Sequence, residues 1–428
     1  MKKIATHTLG CKLNFAETSQ LVRQFIADGY EPVDFHQKAD LYVINTCTVT
    51  AIAEKKCRNI IRQAVTTNPQ AIVAVIGCFA QNAANEIAQI EGVDIILGNN
   101  EKYQLMEVVE QRMNAINKQH PICSSNDTPT AFHLSYSMGD RTRTFFKIQD
   151  GCDYFCSYCA IPFARGRSRS AGIDETVATA QKIASEGAKE VVLTGVNTGT
   201  FGLHQHESFL DLLKRLDEIE GIARYRISSI EPNLLSDDII RFVSESKRFA
   251  HHFHIPLQAG TDKVLRLMNR RYDTAFYADK LRSIKELMPH CCIAADLMIG
   301  FYGEGEAEFM QTQQYIDSLP LSYLHVFTYS ERPNTRALAF KEKIPVHLRR
   351  IHTNLMLQIS EQKKEAFYRS NIGRKEKVLW ESDVKEGMML GFTDNYLRVQ
   401  TPYNEGLVNT IQEVTLDHYL PEHEVFDI

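Results

Sequence analysis

The sequence predicts an α/β protein in three parts, and three observations carry that expectation. Short apolar runs alternate with helical patterns from the N-terminus to about residue 330. Those runs are continuous rather than alternating, as expected of parallel strands covered on both faces. Beyond about residue 371 the pattern changes to short strand-like runs separated by Gly, Asn and Asp turns, which reads as a small all-β module.

In order along the chain, KIATHTL (3–9), LYVINT (41–46), AIVAVIG (71–77) and DIILG (94–98) read as strands. Helices are predicted between them over about 15–28, 51–66 and 80–90, and a fourth begins near 101. This makes residues 1–115 one parallel-sheet domain. Residues 116–139 (NKQHPICSSNDTPTAFHLSYSMGD) lose periodicity and gain polar residues, which predicts a linker. The βα rhythm then resumes over 140–370. TFFKIQD, EVVLTG, YRISSI, HHFHIPL, CIAADLMIG and YLHVFTYS are six strand candidates, enough for an open or partial (β/α) barrel. A long charged amphipathic helix is expected within 340–370. KVLWES, MMLGFTD, YLRVQT and EGLVNTIQEVTL in 371–428 suggest a five-stranded barrel.

Composition excludes several classes. With 428 residues, 44% hydrophobic and 24% charged, the chain is neither collagenous nor disordered nor low in complexity. MKKIATHTLGCKLN lacks an apolar stretch of signal-peptide length, and AIVAVIGCFA is too short to span a bilayer. A soluble cytoplasmic protein is the expectation. The net charge of −5 gives no global basic field, so an RNA partner would have to meet local patches. Arg141, Arg143 and Lys147 form one, and Arg165, Arg167 and Arg169 in ARGRSRS another.

Ten cysteines in such a chain point to metal or redox chemistry rather than a disulfide framework. Cys11, Cys47 and Cys78 each follow one of the first three strands. The carboxyl ends of neighbouring parallel strands converge on one crevice, so the three are expected to meet. A lone buried cysteine is commonly just a small hydrophobe; three at equivalent positions favour a metal. Cys57, Cys123, Cys291 and Cys292 have no equivalent partners and read as structural. In DGCDYFCSYC, Cys152, Cys156 and Cys159 have the spacing C-x3-C-x2-C on the loop after the first barrel strand. Structural zinc wants four ligands, and no second pair or nearby His accompanies these three. An iron–sulfur cluster suits thiolates better, and three of them leave one iron of a [4Fe–4S] cube open.

That loop, spacing and barrel position resemble the radical S-adenosylmethionine (SAM) superfamily, with Tyr158 the aromatic before the last cysteine. Along the whole chain TLGCKLN, VINTCTVT, VIGCFAQ, KIQDGCDYFCSYCAIPFARGRSRS, ISSIEP, HIPLQAG and DLMIGF are similar to the methylthiotransferase branch. The resemblance implies a flavodoxin-like parallel-sheet N-terminal domain, a partial (β/α)6 radical SAM barrel and a C-terminal TRAM-like antiparallel β-barrel. It implies two [4Fe–4S] clusters, one on Cys152, Cys156 and Cys159, and an auxiliary one on Cys11, Cys47 and Cys78. The first binds SAM and, once reduced, cleaves it to a 5′-deoxyadenosyl radical; the second carries the sulfur to be inserted. The hard chemistry belongs to the cofactors, so no protein general acid or base is expected. Tyr158, Thr194, Gly195 and Asn197 (the last three in LTGVNTG), with Ser229 and Glu231 of ISSIEP, are the expected SAM-binding residues.

For the substrate, TLGCKLN and IQDGC look like the branch that acts on N6-threonylcarbamoyladenosine of tRNA. The isopentenyladenosine branch typically has TYGCQMN at the first of these. A threonylcarbamoyl group carries a carboxylate, which Arg165 or Arg167 would pair with bidentately. The implied partners are a tRNA anticodon stem-loop and an electron donor, with the enzyme a monomer. An aspartate of a ribosomal protein is the alternative substrate, and a non-catalytic Fe–S RNA-binding regulator is the alternative class. Two features depart from the family. GFYGEGE stands where GFPGET is common, placing Tyr302 and Gly305 in that turn. Residues 371–428 carry five Lys/Arg against eleven Asp/Glu, an unusual balance for an RNA-binding barrel.

Overall fold

The computed structural model describes residues 1–115, 120–124, 127–139 and 141–428. Contacts group the chain into two compact units. One comprises Met1–Ser137, Phe145–Ser170 and Ser330–Leu338; the other comprises Met138–Thr144, Ala171–Tyr329 and Ala339–Ile428.

The first unit is built on six parallel strands: β1 (Lys3–Thr8), β2 (Glu31–Val33), β3 (Leu41–Thr46), β4 (Ile72–Gly77), β5 (Ile95–Leu97) and β6 (Ile122–Cys123). Their order is β2-β1-β3-β4-β5-β6, which is the flavodoxin-like arrangement extended by one strand. Helices α1 (Lys12–Ala27), α2 (Ala51–Thr67), α3 (Cys78–Ile87) and α4 (Leu105–Asn114) cover it. Every residue of β3 and β4 is buried. Alternate side chains feed opposite faces, as the pleat requires. Tyr42, Ile44, Val73 and Val75 pack with Ile61 and Phe79 on one face. Leu41, Val43, Ala74 and Ile76 pack with Leu21, Phe25 and Leu105 on the other.

Two strands of this sheet lie outside the sequence expectation. β2 contains Pro32, which lowers its strand signal, yet the edge position tolerates a missing donor. β6 lies in the stretch that reads as a linker, and Ile122 and Cys123 pair with Ile95 and Ile96. Ser135 and Tyr136, also in that stretch, pair antiparallel with Lys147 and Phe146. Polar composition hides these short edge pairings.

In the second unit Glu190–Thr194 and Arg224–Ile227 pair in parallel, and His252–His254, Cys292–Ile299 and Tyr323–Thr328 form a second parallel sheet. Parallel bridges Tyr225–Phe249 and Ser229–His254 join the two into one curved wall. These are five of the six barrel strands expected, and the other, Thr144–Lys147, forms as well. The long helix runs Val346–Arg369. The C-terminal module has six strands rather than five, His418–Leu420 and Val425–Asp427 being the unexpected pair. Its pairing is antiparallel except between Arg398–Pro402 and Val425–Asp427. The single Trp of the chain, Trp380, is fully buried there with Val378, Leu397 and Phe426. Cys292, Phe367 and Tyr368 join the same core, so the module packs on the last barrel strands and the long helix.

Candidate cluster and cofactor sites

The switch point of the first sheet lies where β1 meets β3, and the carboxyl ends of β1, β3 and β4 carry the first three cysteines. Cys11 is the N-cap of α1 and Cys78 opens α3. Helix N-termini favour negative charge. Glycines make the approach possible. Gly10 has φ +104°, and a Cβ on it would lie 2.9 Å from Cys47 Cβ. Gly77, at φ +95°, would overlap the Asn45 side chain. Sequence reasoning passes over these residues, although the repeated Gly-Cys pair is a signal for them.

The three thiols influence one another electrostatically. Burial pushes Cys47 up to about 12, and Cys78 and Cys11 push it in the same direction. Packing also raises Cys11, against the pull of the Arg165 cation, even though the residue keeps an exposed surface. Cys57 is fully buried behind the set; its Sγ lies 3.5 Å from the Cys47 amide nitrogen, a supporting position.

The second set is made locally. Gly151, at φ +71°, precedes Cys152, and a Cβ there would overlap Arg167 O. Phe155 also has positive φ, 48°. The Cys159 amide donates to Cys156 O at 3.0 Å and the Cys152 amide to Gly166 O at 3.1 Å. The half-buried cysteines therefore sit on a tightly wound loop, with Tyr158 half-buried beside the last.

Both sets belong to the same compact unit, and polar side chains tie them together. Asn14, one helical turn from Cys11, accepts from Arg165 at 2.6 Å and donates to Leu9 O and Thr46 O. Asn99 donates to Ala164 O at 2.8 Å with Cys78 Sγ 3.5 Å away. Arg165 and Ala164 lie on the short helix that follows Cys159. A segment far along the chain joins in. Ala337 donates to Ser157 O at 2.8 Å, while Arg332 meets Thr48 and Glu54 beside Cys47.

Arg165 corrects one expectation. Its side chain is 1% exposed and hydrogen-bonds Glu17, Asp150 and Asn14. Glu17 also takes Lys102 at 2.6 Å and Lys147 at 2.8 Å, and Asp150 takes Lys147 at 2.8 Å. Burial alone would raise the two carboxyls, but Arg165 and the lysines hold both well below the usual range. A guanidinium so committed is unavailable to a substrate carboxylate. Arg167 is different: its side chain is 72% exposed, 3.5 Å from Asp153 and over the Phe155 ring. Of the two, Arg167 is the exposed one.

The donor chemistry fits iron–sulfur clusters. Among the described residues no three metal-ligating side chains converge as a single ion requires. A cube instead takes each thiolate on a separate iron. The nearby cations suit the negative charge such thiolates bring.

For SAM, the carboxyl ends of the strands in the second unit supply the polar groups. Thr194 Oγ1, Ser228 Oγ and Gln258 Oε1 are buried there without a hydrogen-bond partner, so they fit a polar ligand. Thr194 is among the residues expected from the sequence; Ser228 and Gln258 are not, and Gln258 is further marked by φ +70°. Gly195 is half-buried and Asn197 is 2% exposed on the loop after Thr194. Of the other two expected residues, Ser229 accepts from Thr198 Oγ1 through its backbone oxygen, and the Glu231 carboxylate is paired with Arg270.

Residues 3–98 match "Uncharacterized protein family UPF0004" and residues 146–316 match the radical SAM superfamily. The threonylcarbamoyladenosine tRNA methylthiotransferase MtaB of Bacillus subtilis is 37% identical, covering 97% of this chain and 94% of that protein. The protein of the same name from Aquifex aeolicus is 35% identical over 93% of this chain and 96% of its own. The tRNA-2-methylthio-N(6)-dimethylallyladenosine synthase of Natranaerobius thermophilus is 30% identical, with 97% and 94% covered. Among solved structures, the radical SAM methyltransferase TsrM from Kitasatospora setae has TM-score 0.54 at 13% identity, covering 78% of this chain and 77% of that one, a likeness of fold alone. With two sets of three thiols, the radical SAM match and end-to-end relatives of this kind, the chain belongs to the radical SAM methylthiotransferase family.

Proposed function

We propose that this enzyme methylthiolates tRNA, converting N6-threonylcarbamoyladenosine beside the anticodon to its 2-methylthio derivative. One observation carries the reading: two sets of three thiols lie in one compact unit, bound together by Asn14, Asn99 and Arg165. A single set would suffice for radical chemistry; a second is what sulfur insertion adds. The relatives named for threonylcarbamoyladenosine support the substrate, at identities of 37% and 35%.

In this reading Cys152, Cys156 and Cys159 hold one [4Fe–4S] cluster, and Cys11, Cys47 and Cys78 hold the other. Thr194, Gly195 and Asn197 line the SAM site, joined by Ser228 and Gln258. Once bound, these groups supply the one-electron and sulfur-transfer chemistry. The protein's part is to hold the thiols at fixed separation and to keep compensating cations beside them. Arg167 meets the threonylcarbamoyl carboxylate, exchanging its exposed contact with Asp153, an interaction weak enough to give up. The organisation proposed is an auxiliary-cluster domain over 1–115, a linker over 116–139, a radical SAM domain over 140–370 and a TRAM-like barrel over 371–428. The enzyme acts in the cytoplasm as a monomer with a separate electron donor. Among the described residues no helix is long and apolar enough to cross a membrane.

The acidic balance of the last module is the best argument for a ribosomal-protein substrate. Part of that balance is used internally: Glu381 pairs with Arg143 at 2.8 Å, and Asp394 with His251 at 3.3 Å. Nucleoside mass analysis of tRNA from cells with and without the gene tests the reading. Loss of the methylthio-threonylcarbamoyl nucleoside is expected. An unchanged profile would refute the tRNA assignment, and loss of the isopentenyl derivative instead would move the substrate to that branch.

A further inference from the structure

Tyr302 and Gly303 of the turn GFYGEGE line a cavity that the chemistry above does not use. It has a volume of about 560 Å³, within the range of small-ligand sites. Tyr302, Phe340 and Leu267 give it apolar and aromatic walls, and Lys263, Arg266 and Lys341 surround them. The cavity lies beyond the carboxyl end of the strand Cys292–Ile299, the end of the barrel that also carries Thr194, Ser228 and Gln258. Active sites of (β/α) barrels collect at that end.

Its walls are cross-linked. The Gly303 amide donates to Glu342 O at 2.9 Å, fixing the turn to the segment 339–342. Lys263, on the helix Asp262–Leu267, pairs with Glu308 at 3.0 Å and with Glu342 at 3.5 Å. Gly303, at φ +80°, lies so close to Leu267 that a Cβ would come within 2.7 Å of its Cδ1. Tyr302 is 4% exposed and meets Phe340 edge to face, with centroids 6.1 Å apart. Arg266 and Lys341 are exposed at the rim. Aromatic walls under a basic rim suit a flat heterocycle attached to phosphate. An inorganic anion would have no use for the rings, and an aliphatic ligand no use for the cations.

We infer that this cavity receives an unpaired nucleobase of the RNA strand, next to the target adenosine, with Arg266 and Lys341 on the adjoining phosphates. Single-stranded RNA is bound in this way, by stacking on aromatic side chains with cations along the backbone. Tyr302 packs edge to face on Phe340 and holds that wall in place, which makes it a positioning residue. The inference rests on the tRNA reading above.

The test is binding of the cluster-loaded enzyme to anticodon stem-loop RNA, intact and with single abasic substitutions through the loop. For the wild type, one abasic position beside the target should weaken binding roughly tenfold. Tyr302→Ala should weaken binding of the intact loop by a similar factor and respond no further to that abasic substitution. Arg266→Glu with Lys341→Glu, both on the surface and expected to leave thermal unfolding unchanged, should weaken binding and flatten its salt dependence. If the wild type prefers the anticodon loop but these variants bind it equally well, or if the abasic penalty persists in Tyr302→Ala, the cavity is not the base site. If the wild type binds the anticodon loop no better than an unrelated hairpin, the tRNA reading falls, and this inference with it.

Discussion

The two cysteine sets solve one problem by opposite routes. Cys152, Cys156 and Cys159 are neighbours in sequence, and local turns alone bring them round. Cys11, Cys47 and Cys78 are far apart, and only the order of β1, β3 and β4 assembles them. The local set depends on a loop; the distant set depends on the whole sheet folding correctly. Damage to the sheet should therefore cost one cluster and spare the other, whereas the loop can fail without disturbing the sheet.

The largest effects follow from removing the proposed cluster ligands. Cys47→Ala should reduce iron from about eight to about four per chain after anaerobic reconstitution, since the clusters are countable by their thiolates. Methylthiolation should disappear while reductive cleavage of SAM continues. Cys156→Ala should give the same loss of iron but abolish SAM cleavage as well. Equal behaviour of the two variants would contradict the division of labour between the sets.

Next come the buried carboxylates, one in each unit. Glu17 is fully buried against Arg165, Lys102 and Lys147, and Glu190 against Arg224 and Arg226 at 3.0 Å each. Breaking such a network leaves uncompensated charge, so Glu17→Gln and Glu190→Gln should each cost ~3–5 kcal/mol in unfolding experiments. Only Glu17→Gln should also reduce loading of the auxiliary cluster, because Arg165 then loses its anchor beside Asn14. Glu190 has a pH signature too. Burial would raise it, but Arg226 and Arg224 bring it down to about 2. Its folded value lies below its unfolded one, so its stabilisation is complete above about pH 4.5 and is lost as pH falls through about 2. Glu190→Gln should flatten acid unfolding over that window.

How much of this is legible in the sequence follows the same contrast. The C-x3-C-x2-C loop can be read from spacing alone, and the strand-end cysteines from a topological rule, because β3 and β4 are continuously apolar. Arg165 misleads because a basic residue in ARGRSRS looks solvated, and nothing local reveals that Glu17 and Asp150 enclose it. The contribution of Arg332 and Ala337 is invisible for the same reason, since contacts across such distances leave no periodic trace. The edge strands Glu31–Val33 and Ile122–Cys123 are too short to produce a pattern. Thr194 stands out in the sequence because a Gly-rich turn follows it, whereas the unpartnered polar atoms of Ser228 and Gln258 lie in stretches whose polar residues look interchangeable.

The smallest expected effects probe the Gly-Cys pairs. Three of the six cysteines follow a glycine of positive φ: Gly10, Gly77 and Gly151. Gly187 has φ +91° but open space within 4 Å of where a Cβ would stand, so Gly187→Ala should register only the backbone preference, about 1 kcal/mol. Gly10→Ala and Gly151→Ala add a steric conflict, with Cys47 Cβ in one case and Arg167 O in the other. Each should therefore cost more than Gly187→Ala, by roughly 1–3 kcal/mol, since forcing extra methyls into packed sites displaces neighbours. Their iron contents separate them further. Gly10→Ala should lower the auxiliary cluster and leave SAM cleavage intact, because its clash lies in the sheet crevice. Gly151→Ala should impair SAM cleavage first, because its clash unwinds the loop that carries Cys152. If both lowered the two clusters equally, the sheet-built and loop-built sets would be one cooperative unit, and the buried link through Arg165 would be stronger than the folds that carry them.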